Sequence, residues 1–416
     1  MASLFSPLSN EGRRVLNRLP RLIDKVFPMP GRFRSGLPRD VAELSGLLTA
    51  NREDRGASYL GKPALLSAYL RYFMPWNIYR LCRLLPGLPL DLKSHDTVND
   101  VGAGPLTLAA ALWISRPDLR RLPLEFRCVD RTPAVLEAGR KFFAALASDT
   151  IESDGGRPGG SDCPWVIKTI RGELKRHGGL SIEIKGKPAA LTAAVNVYNE
   201  LFWNFSPLDT EGLAAFTNRA ARLLSSLTNP SGSILVMEPG IPRCGEFISL
   251  LRLGFMKEGR CPLSPCVHSG LCPLSAVSGP GSAPFRKAKW CHFAFDTEDA
   301  PDALHKLSGA AGIPKERAVL SFILAGPASR REPLGRANTA QHDRPQAFVK
   351  ARVVSDLFPA GEGWGRYGCS ERGLVLVSGT RKSLEGSPSG ALEELRLQDG
   401  RKDGKSGALM AEKTSG

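Results

Sequence analysis

The stretch TVNDVGAGPLTLAAALW, residues 97–113, restricts the fold more than any other. A short β-branched run reaches an acid at Asp100. Gly102-Ala103-Gly104 follows, and then an apolar segment with helical character. Glycines at such a turn let the backbone bend sharply and approach a ligand. The first N–H groups of the helix behind it favour a polar or anionic group. The motif is followed by others of the same kind. LEFRCVD (124–130) reads as a second strand ending at Asp130, and TPAVLEAGRKFFAAL (132–146) as a helix. LTAAVNVYNELFW and GSILVMEPG read as later strands with loops at their carboxyl ends. Strands that alternate with helices predict an α/β fold built on a parallel, doubly wound sheet.

The turn is not a dinucleotide fingerprint, because the third glycine of G-x-G-x-x-G is replaced by Thr107. Asp100, Gly102 and Gly104, followed by an acid at the end of the second strand, resemble the cofactor turn of class I S-adenosylmethionine-dependent methyltransferases. On that resemblance, Asp130 accepts hydrogen bonds from the ribose hydroxyls. Leu106 stands where such turns often carry a further glycine, and the expectation is a narrowed pocket. Asn199 and Glu200, in VYNELFWN, fall at the carboxyl end of the fourth strand, where open α/β sheets bind ligands. They are the candidate catalytic residues, positioning a substrate amine for attack. Methyl transfer depends mostly on alignment, so few acid–base groups are expected. Both residues also suit helix capping.

Around this core the chain divides by composition. Residues 1–92 read as a helical N-terminal region, interrupted at Pro75, with an aromatic face of Tyr69, Tyr72, Phe73 and Trp76 that suits a core. Residues 93–254 hold the cofactor-binding pattern, 255–300 a cysteine-rich segment and 301–385 a small β-rich domain. The tail from 386 to 416 reads as disordered. Formal net charge is +15, which suits a polyanionic partner such as RNA. No apolar run approaches the roughly 18 residues that span a bilayer, so no membrane partner is expected. The arginine-rich N-terminus fits an organellar targeting segment or a nucleic-acid-binding arm equally well.

Nine cysteines without an export signal argue against a disulfide framework. Cys261, Cys266, Cys272 and Cys291 lie close together, spaced C-x4-C-x5-C-x18-C, and Cys369 stands alone in RYGCSERGL. These are not the C-x2-C pairs of zinc ribbons. Four thiolates suit zinc or a [4Fe–4S] cluster, and local spacing puts zinc slightly ahead.

The order SYLGKPALLSAYLRYFMPWNIYR, VNDVGAGP, YNEL, MEPG with IPR, SPCVHSGLCPL and KWCHFAF resembles the Rsm-twenty-two family, over roughly residues 55–380. These are methyltransferase-like proteins of the small ribosomal subunit, found in bacteria and mitochondria. The resemblance implies a [4Fe–4S] cluster on Cys266, Cys272, Cys291 and Cys369, with Cys261 a bystander and His268 and His292 as supporting groups. It also implies S-adenosylmethionine as cofactor, ribosomal RNA of the small subunit as partner, and a chain that is monomeric apart from the ribosome. The compartment would be a bacterial cytoplasm or a mitochondrial matrix. Two functions follow: an rRNA methyltransferase, or a catalytically inactive assembly factor with a structural metal site. A redox enzyme fits less well, since the radical-enzyme spacing C-x3-C-x2-C is absent.

Overall fold

The computed structural model describes residues 3–49, 59–153, 155, 163–175, 177–203, 210–274, 290–330 and 348–413. The loop SAVSGPGSAPFRKA and most of SDGGRPGGSDC lie outside them. Helices α1 (Asn10–Val26), α2 (Gly31–Arg34) and α3 (Leu37–Leu48) open the chain. The Ser9 hydroxyl caps α1 by accepting from the Gly12 amide at 3.0 Å. Val15, Leu16, Leu19, Leu22 and Ile23 form its buried stripe.

Pro75 does not break the next helical segment. The chain runs through α4 (Pro63–Ala68), one π-helical turn at Tyr69–Phe73, and α5 (Met74–Leu84). Pro75 falls in the first turn of α5, where a missing N–H is tolerated. The π turn absorbs the change of register, as such bulges do near functional sites.

The central sheet follows. Its elements are β1 (Thr97–Val101), α6 (Thr107–Ser115), β2 (Glu125–Asp130), α7 (Pro133–Ser153), β3 (Val166–Arg171), β4 (Ala189–Val195), α8 (Asn199–Phe202), α9 (Thr210–Leu227), β5 (Thr228–Pro239), α10 (Pro242–Lys257), β6 (Arg260–Ser264), β7 (Phe293–Asp296), α11 (Asp302–Ala310) and β8 (Arg317–Pro327). Strand order is β3-β2-β1-β4-β5-β8-β6, with β7 also paired to β8. The first five are parallel, and β8 runs antiparallel to β5, β6 and β7. Four of β1's five residues are buried, as a strand covered on both faces requires. Helix α6 is buried nearly all round, beneath the N-terminal helices, while α9 and α10 cover the other face.

A second sheet holds β9 (Phe348–Val353), β10 (Phe358–Ala360), β11 (Gly363–Ser370), β12 (Gly373–Gly379), β13 (Leu392–Lys402) and β14 (Leu409–Lys413), with α12 (Arg381–Glu385) between β12 and β13. Its order is β10-β11-β12-β14-β13-β9, and β11 also pairs with β9.

Three expectations about organisation change. AVLSFILAG, read as part of the small β-rich domain, is β8 of the central sheet. The cysteine-rich segment contributes β6 and β7 to that sheet rather than standing apart. The tail from 386 is not disordered among the described residues, because β13 pairs with both β9 and β14. Leu395 and Ala411 bury there against Val349 and Val375.

Two seams join these parts. The Arg83 guanidinium donates to Asp299 at 2.6 Å, and the Tyr79 hydroxyl donates to the same carboxylate at 2.5 Å, which ties α5 to the segment after β7. At the start of the described chain, Ser3 bridges to Ala391, the Leu4 amide donates to the Gly390 carbonyl at 3.3 Å, and Phe5 stacks on Phe295. No described helix is long and apolar enough to cross a membrane.

Candidate cofactor cleft and cysteine site

A cleft opens at the carboxyl edge of the parallel strands, beside β1, where strand order reverses between β2 and β4. Asp100, Gly102, Gly104 and Asp130 all line it, as the sequence led us to expect. Gly102 and Gly104 have φ of +75° and +52°. A Cβ on Gly102 would lie 2.4 Å from Val197 Cγ2, so glycine is required there by both conformation and space. Gly102→Ala is expected to destabilise the protein by about 2–4 kcal/mol, read as a shift of the urea unfolding midpoint.

Leu106 does not narrow the cleft. It adopts the left-handed conformation (φ 58°, ψ 40°) and is fully buried. A Cβ on Gly139 of α7 would meet Leu106 Cδ1 at 2.6 Å and the Pro105 carbonyl carbon at 2.4 Å. Gly139 thus leaves the room in which Leu106 packs, away from the ligand side.

Asp130 is fixed by two amides. Gly104 N donates to Oδ2 at 3.0 Å and Thr132 N to Oδ1 at 2.9 Å. Each oxygen keeps a lone pair for a further donor. Asp100 differs. It is 1% exposed, and neither carboxylate oxygen has a hydrogen-bond partner. Burial, reinforced by the Asp130 charge, raises its pKa to about 7. A buried acceptor without a partner is costly unless a ligand supplies the donor.

The structure separates Asn199 from Glu200. Glu200 lines the cleft, and Arg131 lies 3.5 Å from its carboxylate. Asn199 is buried, and its side-chain amide donates to Glu238 Oε2 at 2.7 Å. Glu238 also accepts from the Tyr198 and Asn199 amides, at 2.8 and 3.2 Å. Burial raises the Glu238 pKa to about 7, against the pull of those donors. Asn199 therefore shapes the loop after β4 from below rather than facing a substrate.

Sequence reasoning missed Tyr69 and Asn77, which line the cleft from the N-terminal helices. The aromatic run at 69–76 was read as core, and Tyr72 and Trp76 are core. Tyr69 is turned out by the π turn, with its hydroxyl 4.0 Å from where a Gly104 Cβ would stand. Burial and the charges of Glu200 and Asp130 push its pKa upward.

The second site lies where the cysteine-rich segment meets β11. The Cys291 thiol is pushed well up, first by burial and then by its neighbours Cys266, Cys272 and Cys369. Cys369 is raised in the same way, by burial and then by Cys266 and Cys272. His268 Nε2 sits 3.4 Å from Cys369 Sγ. Cys261 is turned elsewhere, 3.2 Å from the Ser269 hydroxyl. Arg252 Nη2 donates to the carbonyls of His268 and Gly270, at 2.9 and 2.8 Å, and holds this loop in place. Its Nε and Nη1 are buried without a partner, and its charge acts on Cys291 and Cys369. Among the described residues no three His, Cys, Asp or Glu side chains converge as closely as the ligands of one metal ion. His292 Nδ1 lies 3.1 Å from the Trp290 carbonyl.

A doubly wound sheet with an antiparallel strand next to the fifth, a glycine turn after β1 and an acid ending β2 is the class I methyltransferase fold. No family model matches the chain, and no curated protein matches it significantly. Among solved structures, it is similar to a methyltransferase from Pyrococcus furiosus, at 12% identity over 45% of this chain and 73% of that one, TM-score 0.26. It is also similar to CalO1, a methyltransferase of calicheamicin biosynthesis in its SAH-bound form, at 15% identity over 72% and 73%, TM-score 0.29. A candidate class I S-adenosylmethionine-dependent methyltransferase from Listeria monocytogenes is 9% identical over 78% and 89%, TM-score 0.31. The strand order and the turn define the class, and these likenesses add no weight to it.

Proposed function

We propose that the chain binds S-adenosylmethionine in the β1–β4 cleft and methylates RNA of the small ribosomal subunit, with a [4Fe–4S] cluster on Cys266, Cys272, Cys291 and Cys369. The observation that carries the cofactor reading is Asp100, a buried carboxylate without a partner that faces the cleft. Asp130, Glu200 and Glu173 line the same cleft, with Arg131 as the cation. That balance suits a ligand bearing an ammonium and a sulfonium, and disfavours the diphosphate of a dinucleotide. Asp100 would meet the ammonium and Asp130 the ribose diol. The bound cofactor would supply an electrophilic methyl group. Glu200, Tyr69 and Asn77 form the wall against which a substrate base would be oriented.

Three features support the cluster over zinc. The four thiols act on one another electrostatically, as four ligands of one anionic centre would. Arg252 offers two unpaired donors beside anionic sulfur. Cys369, distant in sequence, belongs to the group, and Cys261 does not. Ribosomal association rests on the resemblance in sequence and on the net charge of +15. It would place the protein with the ribosome in a bacterial cytoplasm or a mitochondrial matrix.

The inactive-factor reading draws on one observation: the Asn199 amide is committed to Glu238 and does not face the cleft. Two measurements on purified protein decide between the readings. Calorimetry with S-adenosylmethionine should show binding, weakened roughly 10- to 100-fold in Asp130→Ala. Labelled methyl should transfer to small-subunit RNA. Binding without transfer would establish the factor, and unchanged affinity in Asp130→Ala would sink the cofactor assignment.

A further inference from the structure

Beside the cleft, and outside the residues assigned to the cofactor, two cations flank Tyr72. Arg80, on α5, donates through Nη1 to Asn77 Oδ1 at 3.0 Å, and Asn77 is a wall of the cleft. Arg80 Nε is buried and has no hydrogen-bond partner. Lys315 stands two residues before β8, with its Nζ 5.9 Å from the centroid of the Tyr72 ring. Pro239 pairs with Leu320 where β5 runs antiparallel to β8, so the start of β8 lies at the carboxyl edge of the sheet, on the cleft's side.

Neither cation has a carboxylate partner among the described residues. The forces on Arg80 are burial and Tyr72, and those on Lys315 are burial and Arg80 itself. Like charges withdrawn from water next to each other destabilise a fold unless something anionic joins them. Buried Arg83 meets Asp299 at 2.6 Å, and buried Arg252, Arg260 and Arg366 donate to backbone carbonyls. Arg80 has a second cation, Lys315, as its neighbour and stands beside the cleft.

We propose that Arg80 and Lys315 form the subsite for a backbone phosphate of the RNA substrate, next to the nucleotide that enters the cleft. This rests on the function proposed above and names how its substrate is gripped. Arg80 supplies a planar fork held by Asn77, and Lys315 a mobile point charge over Tyr72. A single phosphodiester neutralises both and leaves the cleft acidic for the cofactor.

The test is RNA affinity against salt, measured by anisotropy of a short labelled oligoribonucleotide. Wild type is compared with Arg80→Gln, Lys315→Gln and the double variant, with Lys382→Gln on α12 as control. Each single change should lower the slope of log affinity against log salt by about 0.7, and the double by about 1.4. The control should leave it unchanged. Without RNA, Lys315→Gln should melt no lower than wild type, because a repulsion is removed. Bound RNA should slow acylation of Lys315, followed by mass spectrometry. Unchanged slopes in folded variants would overturn the subsite. So would protection of Lys315 by inorganic phosphate alone and not by RNA, which would assign a free-phosphate site. S-adenosylmethionine affinity, measured on the same samples, should survive all three variants. If wild type binds RNA with the expected slope but no cofactor, the cleft assignment fails while the phosphate subsite stands.

Discussion

Asp100→Asn should cost the protein its cofactor while making the empty protein more stable. The carboxylate meets no donor in the fold, so the loss falls on ligand binding: roughly 10- to 100-fold in S-adenosylmethionine affinity, the range of a charge-assisted hydrogen bond. The pH dependence separates this from a general defect. Burial raises Asp100 to about 7 in the folded chain, from an ordinary 3.8. Between those values the native carboxyl holds a proton that the unfolded chain has released. The unfolded state then binds fewer protons, and stability falls as pH rises from about 4 to about 7. Asparagine removes that fall, so the variant's advantage in thermal melting should appear only above pH 4 and be full by pH 8. Wild-type affinity for the cofactor should rise as pH passes through about 7, since the ammonium needs the ionised carboxylate. In Asp100→Asn that rise should vanish. Glu238, also raised to about 7, needs Glu238→Gln as a parallel control. Equal affinities and equal pH profiles for wild type and Asp100→Asn would remove Asp100 from the site.

The second large effect concerns Cys369→Ser. Protein purified without air should carry about four irons and four sulfides per chain, with the visible absorption of a cubane. Cys369→Ser should lose them, and Cys261→Ser should keep them. Metal binding is also folding energy, and Cys369 lies on β11 of the second sheet, while Cys266, Cys272 and Cys291 lie next to the central one. Loss of the cluster should therefore loosen the junction between the sheets. A loss of about 3 kcal/mol would lower the melting temperature by roughly 3–4 °C. Limited proteolysis should cut near β11 sooner in Cys369→Ser than in Cys261→Ser. One zinc per chain, indifferent to Cys369, would overturn the cluster.

Much of the cleft was legible in the sequence, because its parts are local. Asp100, Gly102 and Gly104 lie within five consecutive residues, and the end of a strand fixes where Asp130 must stand. Tyr69 and Asn77 were not legible, because their role depends on a π turn and on how α5 packs against α6 beside the cleft. The β8 run announced a strand but not its partners: a strand of apolar residues fits any buried position, and only the β5 register assigns it. The tail misled for a compositional reason. In LEELRLQDGRK most charged residues face solvent, Glu393 is buried beside Lys413, and Leu395 is the one fully buried apolar side chain, so the segment reads as polar. Its backbone is ordered by β9 and β14, which no local pattern reveals. Cys369 became legible only through resemblance, since its neighbours lie about a hundred positions upstream.

The seam between Ser3–Phe5 and Gly390–Ala391 sets an order of events in synthesis. Residues 3–5 find their partner at residues 390–391, which are translated only after the whole central sheet. Such a contact closes a very long loop, and long loops close late. The parallel core can assemble while the second sheet is still being translated, but the N-terminal edge cannot be sealed. Phe5 then waits beside Phe293 and Phe295, with β9 still lacking β13 and β12 still lacking β14. In the nascent chain this seam forms only after the central sheet, and until then a chaperone would be needed to shield it.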